Sequence, residues 1–197
     1  MSAAVAAIIL AAGRGARYGA QSNKLLVEIG GQPILRCVAA AALASRARRT
    51  IVVTGHARHE AEAALHGLCV DFRHNPDFAS GLASSLRVGL AAAGGADGAL
   101  MMLGDMPGVS PSTLDALIAA FEADKDCAAI VPAFRGKRGN PALLSRALFE
   151  QVAELEGDTG ARDLLRSAKG VVQLPVEDAG ILADVDTPAD LLRFRRS

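Results

Sequence analysis

The sequence predicts an α/β fold in which helices cover both faces of a mostly parallel sheet. Short apolar runs without helical periodicity alternate along the chain with longer segments of helical pattern, which is typical of such sheets. Of the 197 residues, 51% are apolar, which suffices for one sizeable core. We therefore expect a single domain over residues 1–197, with ligands at the carboxyl ends of the strands.

The order of the elements follows from the apolar pattern. The predicted strands are residues 8–12, 50–53, 68–72, 98–103, 128–132, 171–176 and 182–185. The predicted helices are residues 34–47, 57–66, 82–93, 111–123, 145–154 and 160–168, with a last helix after residue 187. Residues 24–27 are expected to be a short extended piece and residues 134–140 a loop.

Cap residues indicate where three helices begin. Pro33 follows a glycine turn and is predicted at the first position of the first helix. Ser110, followed by Pro111, is predicted to cap the fourth helix, and Thr187 the last one. These positions set the boundaries that the apolar pattern alone leaves open.

The charge balance excludes a general attraction to anionic polymers. With 21 basic and 21 acidic residues, no net field recruits nucleic acid or anionic lipid, so a phosphate site has to gather its charge locally. Cys37, Cys69 and Cys127 show no metal-ligand spacing and favour a reducing compartment. No stretch resembles a membrane span or a secretory signal, so we expect a cytoplasmic protein without nucleic-acid or membrane partners.

A glycine-rich cationic loop follows the first predicted strand. Gly13 and Gly15 let the backbone turn its amides toward a ligand, while Arg14, Arg17 and Lys24 supply positive charge. This combination favours a nucleoside triphosphate, with Lys24 on an exposed loop. An ordinary turn with solvated arginines is the alternative.

Two better-known phosphate loops fit this stretch less well. No Gly-x-x-x-x-Gly-Lys-Ser/Thr string follows the strand. The dinucleotide-binding pattern matches Gly13 and Gly15, but Tyr18 occupies the place of its third glycine and no acid ends the second strand. A nicotinamide dinucleotide is therefore the weaker interpretation.

Acidic residues near strand ends suggest a Mg²⁺ site. Asp105 follows the buried strand 98–103, and Mg²⁺ typically takes one or two carboxylates plus substrate phosphates. Asp184 and Asp186 flank Val185, so in a strand both would point to one face, and Asp186 is the favoured second ligand. The alternatives are a turn cap for Asp105 and a helix entrance for Asp186.

Two further loops are suited to a second anionic substrate. Gly157, Asp158, Gly160 and Arg162 combine a loop with a helix start, which offers free amides and one cation. Asn140 ends a second loop, which carries three basic residues. Each loop alone is also typical of a solvated turn, but together they predict an anionic substrate opposite the triphosphate.

A helix start supplies candidate contacts to a base or ribose. Gly81 offers backbone groups, and Ser84 and Ser85 offer hydroxyls. The alternative is that Ser80 only caps this helix.

Six motifs together resemble the MobA-like nucleotidyltransferases, and most closely the molybdenum cofactor cytidylyltransferases. They lie at residues 10–13 with 17 and 23–24, 75–81 with 84–86, 104–107, 139–141, 157–162 and 184–188. The resemblance implies a three-layer α/β/α, Rossmann-like fold of the nucleotide-diphospho-sugar transferase type.

The resemblance also implies roles for individual residues. The catalytic residues would be Lys24, Arg17 and Asp105, with Asp105 holding the metal; Asp186 is the second metal ligand expected from its position beside Val185. The nucleotide would be bound by Leu10, Ala11, Ala12, Gly13, Arg14, Gly15, Lys24, Gly81 and Ser85. The acceptor would be bound by Asn140, Gly157, Asp158, Gly160 and Arg162.

The reaction implied by the resemblance joins CMP from CTP to the terminal phosphate of a molybdopterin-type cofactor, with Mg²⁺ as cofactor and release of pyrophosphate. Guanylyl-transferring relatives usually have Leu-Ala-Gly-Gly where residues 10–13 read Leu-Ala-Ala-Gly, which favours CTP over GTP. Delivery to a xanthine-dehydrogenase-like molybdoenzyme or its chaperone is also implied. The alternatives are a guanylyltransferase or other nucleotidyltransferase, a nicotinamide-dependent oxidoreductase and a non-catalytic cofactor carrier.

Overall fold

The computed structural model of the chain describes residues 3–13, 23–124, 126–158 and 160–194. Its strands are β1 (Val5–Ala11), β2 (Glu28–Ile29), β3 (Gln32–Pro33), β4 (Arg49–Thr54), β5 (Asp71–His74), β6 (Gly98–Leu103), β7 (Ala129–Phe134), β8 (Lys137–Arg138), β9 (Ala142–Ser145) and β10 (Val171–Pro175). Its α-helices are α1 (Ile34–Leu43), α2 (Arg58–Ala64), α3 (Leu82–Ala93), α4 (Pro111–Ala123), α5 (Phe149–Ala153) and α6 (Ala161–Ser167). Short 3₁₀ helices cover Lys24–Leu26, Phe78–Ser80, Arg146–Leu148, Ala179–Leu182 and Asp190–Arg193.

Eight of these strands form one sheet, in the order β10, β7, β9, β6, β1, β4 and β5, with β8 beside β7. Strand β1 lies between β4 and β6 and is parallel to both. Strand β5 is parallel to β4, and β10 to β7. Strand β9 is antiparallel to both β6 and β7, and β8 is antiparallel to β7. Because β1, β4 and β6 run the same way, their carboxyl ends meet at one edge of the sheet.

Alternate residues of β1 enter two separate cores. Ile9 packs in a cluster with Leu35 of α1 and Leu117 of α4, whereas Ile8 packs with Leu86 of α3. This alternation is the two-residue period of a strand buried on both faces. Helices therefore cover both faces, and the predicted three-layer α/β/α fold with a mostly parallel sheet is confirmed.

Several predicted elements are confirmed with their boundaries. Helix α3 and strand β6 cover residues 82–93 and 98–103 as predicted. Helix α4 begins at Pro111, and the hydroxyl of Ser110 accepts a hydrogen bond from the backbone N–H of Thr113 at 3.2 Å. A serine cap followed by proline thus starts α4 as expected.

Four local predictions are wrong. Residues 24–26 form a 3₁₀ helix rather than an extended piece, because the side chain of Asn23 accepts a hydrogen bond from the N–H of Leu25. The strand predicted at 68–72 begins only at Asp71, since residues 65–67 form a turn after α2 and residues 68–70 have no regular structure. Pro33 lies at the N-cap of α1 rather than inside it. Thr187 caps no α-helix; it donates to Asp190 of a 3₁₀ helix.

The strand predicted at 182–185 is also absent, and a 3₁₀ helix over Ala179–Leu182 precedes this stretch instead. The carboxylate of Asp178 accepts a hydrogen bond from the N–H of Gly180 at 2.8 Å, which starts this helical turn. Among the described residues, no helix is long and apolar enough to cross a membrane.

Candidate functional site

Asp105 is held at the carboxyl end of the sheet by a close backbone contact. The N–H of Gly104 donates to the carbonyl oxygen of Leu10 at 3.0 Å. A Cβ at position 104 would lie 2.9 Å from the same oxygen, so only glycine allows this approach. The contact brings the residue after β6 beside the end of β1, which is where the sequence places the phosphate loop.

Lys24 bridges two carboxylates at this edge. Its Nζ atom lies 2.7 Å from Oδ2 of Asp105 and 2.7 Å from Oδ1 of Asp186. The side chain of Lys24 is 16% exposed, that of Asp105 19% and that of Asp186 34%, so the group is partly shielded from solvent. The expectation of an exposed loop lysine is therefore wrong.

The two acids keep Lys24 charged. Burial by itself would lower the pKa of Lys24, but the hydrogen bonds and negative charges of Asp105 and Asp186 outweigh it and raise the pKa above 10.5. The ammonium group is therefore a permanent cation at neutral pH, in contact with one end of a cavity.

The segment carrying Asp186 is anchored to Asp105 by its backbone. The N–H of Val185 donates to the carbonyl oxygen of Asp105 at 2.9 Å. The side chain of Val185 is buried beside Ile34 and Leu191. Asp184 is exposed, whereas Asp186 faces Lys24. The expectation that both acids share one face is wrong, because this stretch is not a strand.

A cavity of about 630 Å³ opens beside Lys24. Nine of its lining residues are predicted site residues: Leu10, Ala12, Gly13, Lys24, Gly81, Ser85, Asp105, Asp158 and Asp186. Of these, Asp158 was predicted to bind the acceptor and Asp186 to bind the metal. Five lining residues were not predicted: Leu25, Phe78, Ala79, Leu82 and Leu103. Ala11, also predicted to bind nucleotide, does not line this cavity, and its side chain packs in the core with Ile9 on the other face of β1.

Gly81 joins the start of α3 to the loop at residue 157. Its φ angle is +109°, and a Cβ there would lie 2.2 Å from the carbonyl carbon of Gly157. The N–H of Ala83 donates to the carbonyl oxygen of Gly157 at 3.1 Å. Ser80 does not cap α3, since its hydroxyl donates to the carbonyl oxygen of Asp77. Two predicted loops thus meet at one wall of the cavity.

The hydroxyl groups of Ser84 and Ser85 are hydrogen-bonded to a buried side-chain amide. The Nδ2 atom of Asn75 lies 2.8 Å from Oγ of Ser84 and 3.0 Å from Oγ of Ser85. Asn75 is 1% exposed, and its own N–H donates to the carbonyl oxygen of Thr54. Ser85 lines the cavity, so Asn75 fixes its hydroxyl there.

A second cavity, of about 460 Å³, adjoins the first and shares Leu10, Leu82 and Leu103 with it. The predicted acceptor residues Asn140, Gly160 and Arg162 line it, whereas Gly157 does not and Asp158 lines the first cavity. The other lining residues include three cations, Lys137, Arg138 and Arg166, and an apolar group, Leu86, Met101, Val131, Ala142, Ala161 and Leu165.

Some predicted positions cannot be placed. Arg14, Gly15 and Arg17 lie outside the described residues. In the described chain, no group of three or more His, Cys, Asp or Glu side chains could hold a metal ion. A metal at this site would therefore take the one or two protein carboxylates that Mg²⁺ commonly uses, with the remaining ligands from substrate and water.

Comparison with known proteins finds one matching family and several similar proteins. Residues 7–173 match the family described as the MobA-like NTP transferase domain. The chain is 35% identical to the purine catabolism protein PucB of Bacillus subtilis, over 96% of this chain and 95% of that protein. It is 29% identical to the nicotine blue oxidoreductase of Paenarthrobacter nicotinovorans, over 96% of each. The crystal structure of Rv0371c from Mycobacterium tuberculosis in complex with manganese superposes with a TM-score of 0.83, at 30% identity, covering 98% of this chain and 99% of that one.

Proposed function

The chain belongs to the MobA-like NTP transferase family, which makes it a nucleotidyltransferase, and we propose that it transfers CMP from CTP to the terminal phosphate of a molybdopterin-type cofactor. The observation that carries this proposal is the bridge from Lys24 to Asp105 and Asp186 beside a cavity of about 630 Å³. A fixed cation between two acids at a strand end suits a triphosphate with its divalent ion.

The residues at this edge fit a divalent metal. The Oδ1 atom of Asp105 is buried and has no hydrogen-bond partner among the described groups, so it has a free lone pair for a cation. Asp105 and Asp186 would hold the ion, which would neutralise phosphate charge during transfer. The manganese complex of Rv0371c supports divalent metal use, and Mg²⁺ is proposed as the ion for this chain.

The second cavity supports an acceptor with an anionic end and an extended apolar body. Arg162 and Asn140 provide a cation and an amide, while Leu86 and Leu165 provide apolar surface. A pterin phosphate has the anionic end, and the flat faces of its rings can lie against apolar side chains. Since the two cavities share lining residues, an acceptor phosphate can lie next to the nucleotide.

The proposed reaction is an in-line displacement at the α-phosphorus of CTP. An oxygen of the acceptor phosphate forms a bond to this phosphorus, the bond from phosphorus to the bridging oxygen breaks, and its electron pair leaves with pyrophosphate. The acceptor is already an anion, so no general base is required. Lys24 would neutralise charge as two anions approach, and Arg17 and Arg14 are proposed for the same task from the motif they belong to.

The nucleotide-binding residues are proposed on two grounds. Gly13, Ala12 and Leu10 line the cavity at the end of β1, and Gly81 and Ser85 line its opposite side. Residues 10–13 read Leu-Ala-Ala-Gly, which supports CTP rather than GTP.

The match to a purine catabolism protein supports a receiving enzyme of the xanthine-dehydrogenase type, because oxidation of xanthine belongs to purine breakdown.

The decisive experiment measures pyrophosphate release by the purified protein with molybdenum cofactor, Mg²⁺ and either CTP or GTP. We expect release with CTP to exceed release with GTP by at least about tenfold, which corresponds to about 1.4 kcal/mol of discrimination. Preference for GTP would assign the guanylyl reaction instead. Absence of release with every nucleoside triphosphate would contradict the proposal.

The rival function is a nicotinamide-dependent oxidoreductase, which the match to nicotine blue oxidoreductase favours. A thermal-shift series with CTP, GTP and NADH, each with and without Mg²⁺, separates the two. We expect CTP with Mg²⁺ to raise the melting temperature and NADH to leave it unchanged. The reverse pattern would support the oxidoreductase.

A further inference from the structure

We propose that Asp178 is a positioning residue that fixes the return segment, residues 178–186. Through this segment it aligns the acceptor cavity, which is the second cavity of about 460 Å³, with the nucleotide cavity, which is the first cavity of about 630 Å³. Asp178 lines neither cavity among the described residues, and no motif of the sequence singles it out. The kinetic effects expected of Asp178 rest on the proposed function, whereas its role in holding the return segment rests on hydrogen bonds alone.

Both carboxylate oxygens of Asp178 are used. Oδ2 accepts from the hydroxyl of Thr113 at 2.6 Å, and from the N–H and the hydroxyl of Ser110, each at 3.0 Å. Oδ1 accepts from the N–H of Gly180 at 2.8 Å. One side chain thus ties the return segment to the beginning of α4, where a negative charge is also favoured by the helix dipole.

A close backbone contact sets the position of the segment. A Cβ on Gly180 would lie 2.0 Å from the carbonyl oxygen of Gly108, and one on Gly108 would lie 3.3 Å from the Cα of Gly180. The two segments can therefore approach this closely only because residue 180 is glycine, and Gly108 leaves the contact without a tight Cβ on the other side. The hydrogen bonds of Asp178 and the contact between Gly108 and Gly180 therefore fix the same end of the return segment.

From that point the segment contacts the acceptor cavity. The carbonyl oxygen of Ile181 accepts from the N–H of Asn140 at 2.9 Å, and a Cβ on Gly139 would lie 2.3 Å from the same oxygen. Ile181 itself is 1% exposed. Gly139 and Asn140 line the acceptor cavity, so their backbone position depends on the return segment.

The other end of the segment contacts the nucleotide cavity. The N–H of Val185 donates to the carbonyl oxygen of Asp105, and the side chain of Asp186 contacts Lys24. A displacement of the anchor at Asp178 therefore acts on both cavities. We infer that this anchor sets the distance between donor and acceptor phosphates.

The test compares Asp178→Asn with the wild-type protein and with Ile118→Val, a substitution of a buried residue of the same helix α4 that costs a similar amount of stability. Amide hydrogen exchange is measured by NMR on the intact chain. In Asp178→Asn we expect the amides of Asn140 and Val185 to exchange at least about tenfold faster, because their acceptors lie on or beside the return segment. The amide of Gly104, bonded to Leu10, is expected to keep its protection.

Equal changes in Ile118→Val and Asp178→Asn would show that Asp178 acts only on global stability and would overturn the inference, as would unchanged exchange at Asn140 and Val185. Should Asp178→Asn fail to fold, Thr113→Val removes a single hydrogen-bond donor to the carboxylate and is expected to give a smaller change at the same amides.

Kinetics add a second measurement. Asp178→Asn is expected to lower kcat for pyrophosphate release and to raise KM for the acceptor more than KM for CTP, which a simple loss of stability would not do. An unaltered kcat and unaltered KM values would contradict the positioning role. If the wild-type protein released no pyrophosphate, the proposed function would fail while the exchange result would still decide the role of Asp178.

Discussion

The Nζ atom of Lys24 lies 2.7 Å from Oδ2 of Asp105, although 81 residues separate them in the chain. The first loop and the end of β6 are therefore joined by a charged contact before any substrate arrives. In this contact the lysine lies between the two carboxylates that are proposed to bind metal, so the ammonium group and a divalent ion compete for the negative charge of the same two side chains.

Replacing Lys24 separates its effect on catalysis from its effect on metal binding. Lys24→Met is expected to lower pyrophosphate release by at least about a hundredfold, because a cation that neutralises the reacting phosphates is lost. Binding of Mn²⁺ without nucleotide, measured by isothermal titration calorimetry, is expected to become tighter. Arg49→Met, which removes an exposed ion pair with Asp71, serves as the control and should change neither quantity. Weaker binding of Mn²⁺ to Lys24→Met would count against the competition.

The three acids near this site are expected to differ in importance. Asp105→Asn should abolish dependence on Mg²⁺ and lower kcat by about a hundredfold or more, while Asp186→Asn should have a smaller effect, because its side chain is more exposed. Asp184→Asn is the matched control, two residues from Asp186 and exposed. Titration of the rate with Mg²⁺ measures the effect, and a larger loss in Asp184→Asn than in Asp105→Asn would show that the metal ligands are assigned incorrectly.

A methyl group at position 81 should break the contact between the start of α3 and the loop at residue 157, which together form one wall of the nucleotide cavity. Because the new Cβ would lie 2.2 Å from Gly157 at a φ angle of +109°, Gly81→Ala is expected to cost about 2–4 kcal/mol of the free energy of unfolding. Gly67→Ala also places a side chain at positive φ but in open space, and should cost only about 1 kcal/mol. Urea denaturation measures both, and equal costs would mean that the loops are not in contact.

Arg162 should act on the acceptor alone. Arg162→Ala is expected to raise KM for the acceptor by about ten- to a hundredfold with little change in KM for CTP, since it lines only the second cavity. Arg58→Ala removes a helix-surface pair with Glu62 and should leave both values unchanged. A rise in KM for CTP alone would place the acceptor elsewhere.

The stability conferred by Asp178 should depend on pH. Burial by itself would raise the pKa of Asp178, but hydrogen bonds from Thr113, Ser110 and Gly180 outweigh it and hold the pKa below 3.8. The carboxylate therefore stabilises the fold above pH 3.8, and this contribution is lost as pH falls through the lowered pKa.

Urea denaturation should accordingly show that Asp178→Asn costs about 1–3 kcal/mol near pH 7, and that the difference from the wild-type protein shrinks below about pH 3.8. Asp71→Asn, in an exposed ion pair with Arg49, should show only a small difference at either pH. A difference for Asp178→Asn that grows on acidification would contradict the assigned hydrogen bonds.

The alternation of apolar segments was sufficient to predict the sheet and both helical layers, because strand and helix periods are local properties of the sequence. Helix α3 and strand β6 follow this rule closely, as does the cap at Ser110. Strand β9 was not predicted, because its four residues fall between a predicted loop and a predicted helix, and its antiparallel pairing with β6 depends on contacts distant in the sequence.

The site was predictable where a residue follows a strand end, as Asp105 does, and not where long-range contacts decide. Phe78 and Leu82 line the nucleotide cavity only because residues 78–82 turn back across the end of β1. Asp178 and Thr113 meet across 65 residues, and neither belongs to a pattern that periodicity or motif spacing detects. The burial of Lys24 was not predictable, because its two acidic partners are 81 and 162 residues away.

The separation of 162 residues between Lys24 and Asp186 also has a consequence for synthesis on the ribosome. Strand β1 and the lysine emerge early, whereas the second acid follows only after the ten strands that the structure describes have been made. A nascent chain can therefore pair β1 with β4 and β6 while Lys24 still has a single carboxylate, that of Asp105, within reach, and its contact with the second carboxylate forms last.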